Sequence, residues 1–221
     1  MHLGLIGGIG PAATDFYYRR LITRFAARPR PLDLTIVHAD TPTLLSHLAS
    51  NDQEAQVAIY RRLTQRLHDA GAECVAVTSI AGHFCIEAFK AQSPLPVIDL
   101  IAEVRGDLDR RALNRVGILG TRTAMVTRLY GGMGQTEIVP PEGDERDAVH
   151  EAYVAMAAAG SVTEAQRQVF HTASRRLMEE QKVEAIMLGG TDLALVFSEH
   201  DSAFPLVDCA GIHADALAAL P

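Results

Sequence analysis

Short apolar runs alternate along the chain with longer segments in which apolar residues recur at helical spacing. In the first half, the runs that predict buried strands cover residues 2–6, 34–37, 74–77 and 97–98, and the segments that predict helices cover residues 12–26, 53–70 and 84–91, with another that ends at residue 108. Strands that alternate with helices are typical of a parallel sheet flanked by helices. The pattern therefore predicts an α/β fold.

The second half repeats this pattern. Residues 115–119 repeat the opening strand, residues 185–188 repeat the third strand, and residues 204–217 repeat residues 95–104, at offsets of about 109 to 113. A strand at 138–139 and helices at 144–159 and 163–180 complete this half. We expect two pseudo-symmetric domains, each a parallel sheet flanked by helices, with the active-site cleft between them: residues 1–98 plus 209–221, and residues 99–208. The last helix joins the first domain because about twelve residues cannot form a core alone.

Two predicted strand ends at matching positions carry small and polar residues. The segment VAVTSIAGH leads to Ser79 and His83, and the segment IMLGGTD leads through Gly190 to Thr191 and Asp192. Ligands of open α/β sheets bind at the carboxyl ends of the strands. We therefore expect these two turns to form facing walls of one site.

The loop after the first strand is rich in glycine. Residues 8–13, GIGPAA, satisfy a dinucleotide-binding pattern that begins with Gly8 and Gly10, after a strand and before a helix. The acidic residue expected about 20 positions later is missing, since Asp40 comes about 30 residues after Gly10. Because the amides at a helix amino terminus attract any anion, we favour a loop that binds a small carboxylate over one that binds a dinucleotide.

Ser79, His83 and Asp40 could form a nucleophile, a base and an orienting acid, which would allow acyl transfer or hydrolysis. The Gly-x-Ser-x-Gly elbow is absent, because Val77 and Ala81 stand where its glycines would be. In the alternative interpretation Ser79 caps the following helix through its hydroxyl. Thr191 and Asp192 are open to the same two interpretations.

Charge and hydropathy narrow the range of partners. The net charge is −7 without a Lys/Arg run, which argues against nucleic acid and anionic membranes. No apolar stretch reaches the roughly 18 residues that a membrane span needs. The amino terminus also lacks a basic segment with a cleavage site, so the expected location is the cytoplasm.

Cofactor and metal sites are not predicted. The two lysines, Lys90 and Lys182, lie in polar helical segments, so neither is a good candidate for a pyridoxal phosphate Schiff base. The pairs His38 with Asp40 and His83 with Cys85 lack a third metal ligand nearby. The three cysteines, an odd number without metal-ligand spacing, are expected to be reduced thiols.

Six segments in order resemble the aspartate/glutamate racemase superfamily over nearly the whole chain: GLIGGIGPAAT, VHADTP, VTSIAGH, GILGTRTAMVTRLY, LGGTDLAL and VDCAGIHADAL. The resemblance implies two pseudo-symmetric α/β halves with an active site between them, a frequent homodimer, and chemistry without pyridoxal phosphate or metal. Racemases of this superfamily use two thiols, one from each half, to remove and return the α-proton on opposite faces.

This sequence departs from that pattern at both thiol positions, which are Ser79 and Gly190. Cys74 begins a strand, Cys85 lies beyond the histidine and Cys209 belongs to the final repeat, so none is placed to substitute. The Asn-Thr pair that binds substrate carboxylate is Ile80 and Ala81, the arginine of aspartate-specific members is replaced around Ser46, and a lysine expected near residues 157–159 is missing.

A serine hydroxyl is a far weaker base at neutral pH than a thiol with a pKa of about 8.5, and a glycine transfers no proton at all. We therefore expect a cofactor-independent enzyme of the superfamily that acts on a small carboxylate or amino-acid-like substrate without two-thiol racemisation. The alternatives are a lyase or hydrolase that uses Ser79 and His83, and a non-catalytic carboxylate-binding protein.

The expected catalytic residues are Ser79, His83 and Asp192. The expected substrate contacts are Gly8, Gly10, Asp40, Thr41, His47, Thr121, Arg122, Gly190 and Thr191. Among these, His47, Thr121 and Arg122 are predicted in loops. The missing arginine argues against a dicarboxylic substrate, unless Arg122 supplies the second cation.

Overall fold

The computed structural model describes residues 1–8, 11–197 and 202–221. The chain forms two compact units, Met1–Leu100 with His213–Pro221, and Ile101–Ile212. The sequence placed the corresponding boundaries after residues 98 and 208. Among the described residues, no helix is long and apolar enough to cross a membrane.

The first unit contains a parallel sheet of four strands: β1 (His2–Gly7), β2 (Asp33–His38), β3 (Cys74–Val77) and β4 (Val97–Ile98). Their order across the sheet is β2-β1-β3-β4. Leu3 in β1 pairs with Leu34 on one side and with Cys74 on the other. The two middle strands are apolar and almost wholly buried because helices cover both faces of such a sheet.

The helices of the first unit are α1 (Pro11–Ala26), α2 (Thr41–Ser50), α3 (Gln53–Asp69) and α4 (Ile86–Lys90), which follows a 3-10 helix at Ala81–Cys85. Tyr60 and Phe89 lie in the buried cluster that α3 and α4 form with β3, with 5.1 Å between their ring centroids. This packing fixes the turn that follows β3.

The second unit repeats the topology. Helix α5 (Leu100–Arg110) leads to the strands β5 (Arg115–Gly120), β6 (Glu137–Val139), β7 (Ala185–Gly189) and β8 (Leu206–Val207). All are parallel, in the order β6-β5-β7-β8, which matches the first sheet. The helices are α6 (Arg122–Val126), α7 (Gly143–Ala159) and α8 (Glu164–Glu179). The prediction of two similar parallel α/β sheets is confirmed.

The last helix, α9 (Cys209–Ala219), extends from the second unit into the first. In the first unit, Arg20 and Arg24 of α1 both donate hydrogen bonds to the Asp215 carboxylate, at 2.6 to 2.9 Å. Bidentate pairs of this kind fix geometry as well as charge. They hold the end of α9 against α1.

Two helices were missed in the sequence. Helix α2 begins at Thr41 with Pro42 in its first turn, where proline is well tolerated because the amides there have no helical partners. Helix α6 begins at Arg122, and the Thr121 hydroxyl caps it by accepting a hydrogen bond from the Ala124 amide at 3.2 Å. The predictions of loops at His47 and Arg122 were therefore wrong.

Candidate active site

The third strand of each sheet along the chain, β3 or β7, leads into a short 3-10 helix. Strand β3 leads through Ser79 to Ala81–Cys85, and β7 leads through Gly190 to Thr191–Leu195. The amino-terminal cap positions are Ile80 and Gly190, and in the described part of the chain neither cap has a side-chain hydrogen bond. The interpretation of Ser79, Thr191 and Asp192 as helix caps therefore has no hydrogen bond to support it.

His83 is a buried polar side chain in the 3-10 helix that follows β3. Its ring is 1% exposed, and Nδ1 lies 2.7 Å from the Ser79 carbonyl oxygen. Because a carbonyl can only accept, Nδ1 carries the proton and Nε2 has the lone pair. Nε2 is buried without a hydrogen-bond partner among the described residues. Burial lowers the pKa of His83, against the smaller opposing effects of the Ser79 carbonyl and of Asp99, so the ring is a neutral base.

A second histidine, His213, lies against the first. The rings of His83 and His213 meet edge to face with 6.2 Å between centroids. His213 Nε2 lies 2.9 Å from the Ile98 carbonyl and therefore donates, so Nδ1 accepts from the Tyr17 hydroxyl at 2.8 Å. Burial, together with the neighbouring His83, lowers the pKa of His213 to about 3.

Sequence reasoning missed both Tyr17 and His213. The segment GIHADAL contains His213 but was read only as a repeat of an earlier strand and helix. His213 is separated from Tyr17 by 196 positions. The signal that the sequence offered was a histidine within an otherwise mostly apolar helical segment.

Ser79 is buried, and its hydroxyl forms no hydrogen bond with the His83 ring in the described part of the chain. Asp40 is exposed and caps α2, where its carboxylate accepts hydrogen bonds from the Thr43 amide at 3.0 Å and hydroxyl at 2.6 Å. These two bonds lower the pKa of Asp40. The hydrogen bonds of a Ser79–His83–Asp40 triad are thus absent among the described residues.

Gly8 has a φ of +96°, and a Cβ there would lie 2.5 Å from the Ala39 carbonyl oxygen and still closer to the His38 ring. Glycine is therefore required. The Gly8 amide donates to the Thr14 hydroxyl at 2.9 Å, and the Thr41 hydroxyl donates to the Gly8 carbonyl. Both polar groups of Gly8 are engaged within the protein rather than open to an anion. Gly10 lies outside the described residues.

A hollow of about 410 Å³ lies beside this loop, and Tyr18, Ile36 and His38 contribute to its lining. Neither Ser79 nor His83 lines it. The hollow is therefore separate from the buried histidine.

His47 lies in α2, and its Nδ1 is 3.0 Å from the Gln56 side-chain oxygen. Because that oxygen accepts, the His47 ring donates to it. Gln56 is almost fully buried, so the contact satisfies a buried amide. The His47 ring thus joins α2 to α3.

Arg122 in the second unit is already paired. Its guanidinium lies 2.8 Å from the Asp147 carboxylate, and the two side chains are 49% and 44% exposed. The Arg122 amide donates to His150 Nδ1 at 3.1 Å. The charge that the sequence assigned to a second substrate carboxylate is thus neutralised by a neighbour.

Asp192 is the buried acid of the second turn. It is 5% exposed, and its Oδ2 accepts a hydrogen bond from the Tyr153 hydroxyl at 2.9 Å. Its other oxygen, Oδ1, is buried without a partner among the described residues. Burial raises the pKa of Asp192, and the Tyr153 hydrogen bond partly opposes this. Burial also raises the pKa of Tyr153 well above its usual value, and the Asp192 charge adds to the effect.

Gly190 adopts φ −159° and ψ 132°, an extended conformation that any residue can take. A Cβ there would nevertheless lie 2.5 Å from Cζ and from the hydroxyl oxygen of Tyr153, and closer still to Cε2. The tyrosine ring thus fills the space of a side chain at position 190. Sequence reasoning missed Tyr153, which lies on α7, 39 positions before Asp192.

The cysteines are buried and reduced. Burial raises the pKa of all three thiols, that of Cys85 to about 12. They are therefore protonated at neutral pH. Among residues 1–8, 11–197 and 202–221, no group of three or more His, Cys, Asp or Glu side chains could hold a metal ion.

Three solved structures show the fold. A putative Asp/Glu racemase from Yersinia pestis is 25% identical, with a TM-score of 0.83 over 99% of this chain and 98% of that one. An aspartate racemase homologue from Pyrococcus horikoshii is 22% identical, with a TM-score of 0.82 over 99% of each chain. A Francisella tularensis glutamate racemase, solved with D-glutamate, is 16% identical, with a TM-score of 0.66 over 98% of this chain and 79% of that one.

The family model for Asp/Glu/hydantoin racemases matches residues 6–217, which is nearly the whole chain. This match confirms the family that the six sequence segments predict. The chain belongs to the Asp/Glu/hydantoin racemase family.

Proposed function

We propose that this chain is a cofactor-independent enzyme that moves a proton on a small carboxylate or amino-acid-like substrate, with His83 as the base. The observation that supports this most directly is the state of the ring. His83 is neutral, its Nδ1 proton is held by the Ser79 carbonyl, and its buried Nε2 lone pair has no partner among the described residues. A general base needs such a nitrogen, positioned and unprotonated at the working pH.

The proposed step is a proton transfer from a substrate carbon to the His83 ring. Nε2 takes the proton from the carbon next to the carboxylate, and the electron pair of the C–H bond stays on the substrate as an enolate. The imidazolium that forms keeps its Nδ1 hydrogen bond to the Ser79 carbonyl, and that bond and the Asp99 charge offset part of the lowering of the His83 pKa by burial. The imidazolium then exchanges its proton with solvent and returns one to the same face of the carbon, which replaces the α-hydrogen.

Two-thiol racemisation is not part of the proposal. Ser79 and Gly190 occupy the positions that resemble the two thiol sites, and the cysteines present are buried with raised pKa values. Since a positioned acid or base contributes typically about 10²- to 10⁴-fold, a different pair of groups must supply this factor.

A substrate with a single carboxylate fits the charges better than a dicarboxylate. Relatives named as aspartate and glutamate racemases support an amino-acid substrate. Here, however, Arg122 is paired with Asp147, and the arginine of aspartate-specific members is replaced around Ser46. We therefore propose a monocarboxylic amino acid or a related acid. The homodimer and the cytoplasmic location stay predictions.

A hydrolase or lyase that uses Ser79 as the nucleophile has less support. The His83 nitrogen on the Ser79 side donates to the serine carbonyl, and no hydrogen bond joins the ring to the serine hydroxyl among the described residues. An activated serine needs that bond.

The test is incubation with a panel of small acids in deuterated water, followed by mass spectrometry and chiral analysis. The proposal predicts deuterium at the α-carbon of an otherwise unchanged acid, and loss of exchange in His83→Gln. His68→Gln, at an exposed position of α3, is the matched histidine control and should retain exchange. A product of different mass indicates a lyase or hydrolase, and a raised Tm without turnover indicates a binding protein; either result contradicts the proposal.

A further inference from the structure

A hollow of about 320 Å³ lies beside β6, the edge strand of the second sheet. Val126, Val139 and Pro140 give it an apolar wall. Tyr153 and Asp192 do not line it, so it is separate from the buried acid of the second turn. Its volume is within the range of small-molecule sites, which begins at about 300 Å³. The hollow is therefore large enough for a small ligand.

Arginine side chains are in excess in this hollow. The charged residues that line it in the described part of the chain are Arg115, Arg128, Glu137, Glu142 and Arg146. Arg115 is already neutralised, because its Nη1 forms an ion pair with Glu137 and its Nε donates to the Gln181 carbonyl at 2.9 Å. Two arginines then remain against the carboxylate of Glu142, although the net charge of the whole chain is −7. The hollow is thus a basic site in an acidic protein.

Arg146 of α7 lacks an acceptor for a buried nitrogen. The acids beside it in the helix are paired with other arginines: Glu145 with Arg176 at 3.0 Å, and Asp147 with Arg122 at 2.8 Å. Arg146 Nε is buried without a hydrogen-bond partner among the described residues. A buried donor without an acceptor is costly, since it has lost its water and gained no bond in return. A bound anion would supply that acceptor.

Arg128 lines the hollow from an unusual turn. Arg128 and Leu129 both have left-handed backbones, with φ values of 51° and 54°, which residues with side chains rarely adopt. Leu129 is fully buried and anchors this turn in the core. The Arg128 side chain is exposed, and it forms no hydrogen bond or ion pair with any residue that the structure describes. Its guanidinium is therefore available to a ligand.

The first unit shows how two arginines of this protein hold one oxyanion. Arg20 and Arg24 each donate to the Asp215 carboxylate through Nε and Nη2, at 2.6 to 2.9 Å. The planar guanidinium matches the spacing of the oxygens in a carboxylate or a phosphate. An oxyanion that binds the same two nitrogens of Arg146 supplies the acceptor that Nε lacks.

We infer that this hollow is a binding site for a small organic anion, whose carboxylate or phosphate group is held by Arg128 and Arg146. The apolar part of the ligand lies against Val126, Val139 and Pro140. This apolar wall distinguishes such a ligand from an inorganic ion, which would leave it uncovered. The site is additional to the proposed function and does not depend on it.

Isothermal titration of the full chain with phenyl phosphate and with benzoate tests the site, at low ionic strength because salt screens exposed charges. We expect saturable binding of at least one probe. The Kd should rise at least about tenfold in Arg128→Gln and in Arg146→Gln, since each change removes charged hydrogen bonds. Arg19→Gln is the matched control, because its exposed side chain pairs with Asp15 within α1, and it should leave the Kd unchanged.

The two probes and Glu142 sharpen this result. The probe that binds more tightly tells whether the ligand carries a phosphate or a carboxylate. Glu142→Gln should lower the Kd, because it removes a negative charge from the lining. Failure of both probes to bind, or a Kd that is unchanged in both arginine variants, would overturn the inference.

Side-chain NMR separates this site from any acid bound near His83. The Nε–H signal of Arg146 in a nitrogen-15 spectrum is identified by its absence in Arg146→Lys, and it should shift when the probe supplies an acceptor. Arg146→Lys keeps the positive charge without the planar guanidinium, so it should bind the probe more weakly than the parent protein. A signal that stays in place at saturation contradicts the inference. Neither readout uses turnover, so a failure of the proposed function does not affect them.

Discussion

His83 and His213 meet edge to face with 6.2 Å between their ring centroids, and each donates one ring proton to a backbone carbonyl. His83 uses Nδ1 and His213 uses Nε2, so the two neutral rings are opposite tautomers. Charging either ring would place a cation beside the other in a buried site. The pair therefore favours the neutral form, which is the form that a general base requires.

The free energy of unfolding should fall as the pH is lowered from about 6.5 toward 3. Burial lowers the pKa of His213 to about 3 and also lowers that of His83, so the unfolded chain binds protons that the folded chain does not. The stability from these rings is present above pH 6.5 and is lost below it, with a slope of at most about 1.4 kcal/mol per pH unit for each ring. Urea unfolding at several pH values measures it.

The control for this pH dependence is a pair of variants. His213→Gln should have a shallower slope between pH 6.5 and 3, whereas the exposed His68→Gln should keep the slope of the parent protein. Equal slopes in all three proteins would contradict the assignment.

Tyr17→Phe should destabilise the protein by about 1 to 3 kcal/mol, because it leaves the buried Nδ1 of His213 without its donor. Thermal or urea unfolding measures the loss. Tyr60→Phe is the matched variant, since a backbone carbonyl such as that of Gly82 has a second lone pair. We expect the smaller loss there, and the opposite order would argue against a hydrogen bond between Tyr17 and His213.

Gly190→Ala should cost about 1 to 3 kcal/mol through overpacking against Tyr153. The same change in a Tyr153→Ala background should cost less than half as much, because the ring is no longer there. Unfolding of the two single variants and the double variant gives this coupling. Gly106→Ala is the control, since nothing lies within 4 Å of its Cβ position, and it should not destabilise α5. Additive costs would mean that the ring and position 190 do not compete.

Arg122→Ala should change the affinity for mono- and dicarboxylic acids alike, by less than about twofold, because the guanidinium is paired with Asp147 in an exposed ion pair. Isothermal titration with matched acids of both classes measures the effect. A tenfold loss confined to dicarboxylic acids would instead restore the role that the sequence suggested for Arg122.

Alkylation of the folded protein with iodoacetamide should be slow at neutral pH and should leave turnover intact. Cys74, Cys85 and Cys209 are buried, and the raised pKa values keep the thiols protonated. Mass spectrometry before and after unfolding counts the modified thiols. Rapid loss of activity on modification would place a thiol in the reaction.

The strands were predictable because each is a short apolar run stopped by glycine or polar residues, as in β1 and β3. The short helix α2 was not, since a proline such as Pro42 stops a strand pattern and is equally suited to the first turn of a helix. Ser79, His83 and Asp192 could be predicted as site residues because strand ends carry them, and their roles stay predictions. Tyr17, Tyr153 and His213 could not be, because their partners lie far away in sequence and are brought together by packing alone.

The division of the chain has a consequence for its synthesis. Residues 213–221 belong to the first unit, although the whole of the second unit precedes them. On the ribosome, the second unit therefore has its full complement of residues before the first does. His213 can contact Tyr17 and His83 only after residues 213–221 have left the ribosome. The first unit therefore gains these contacts last.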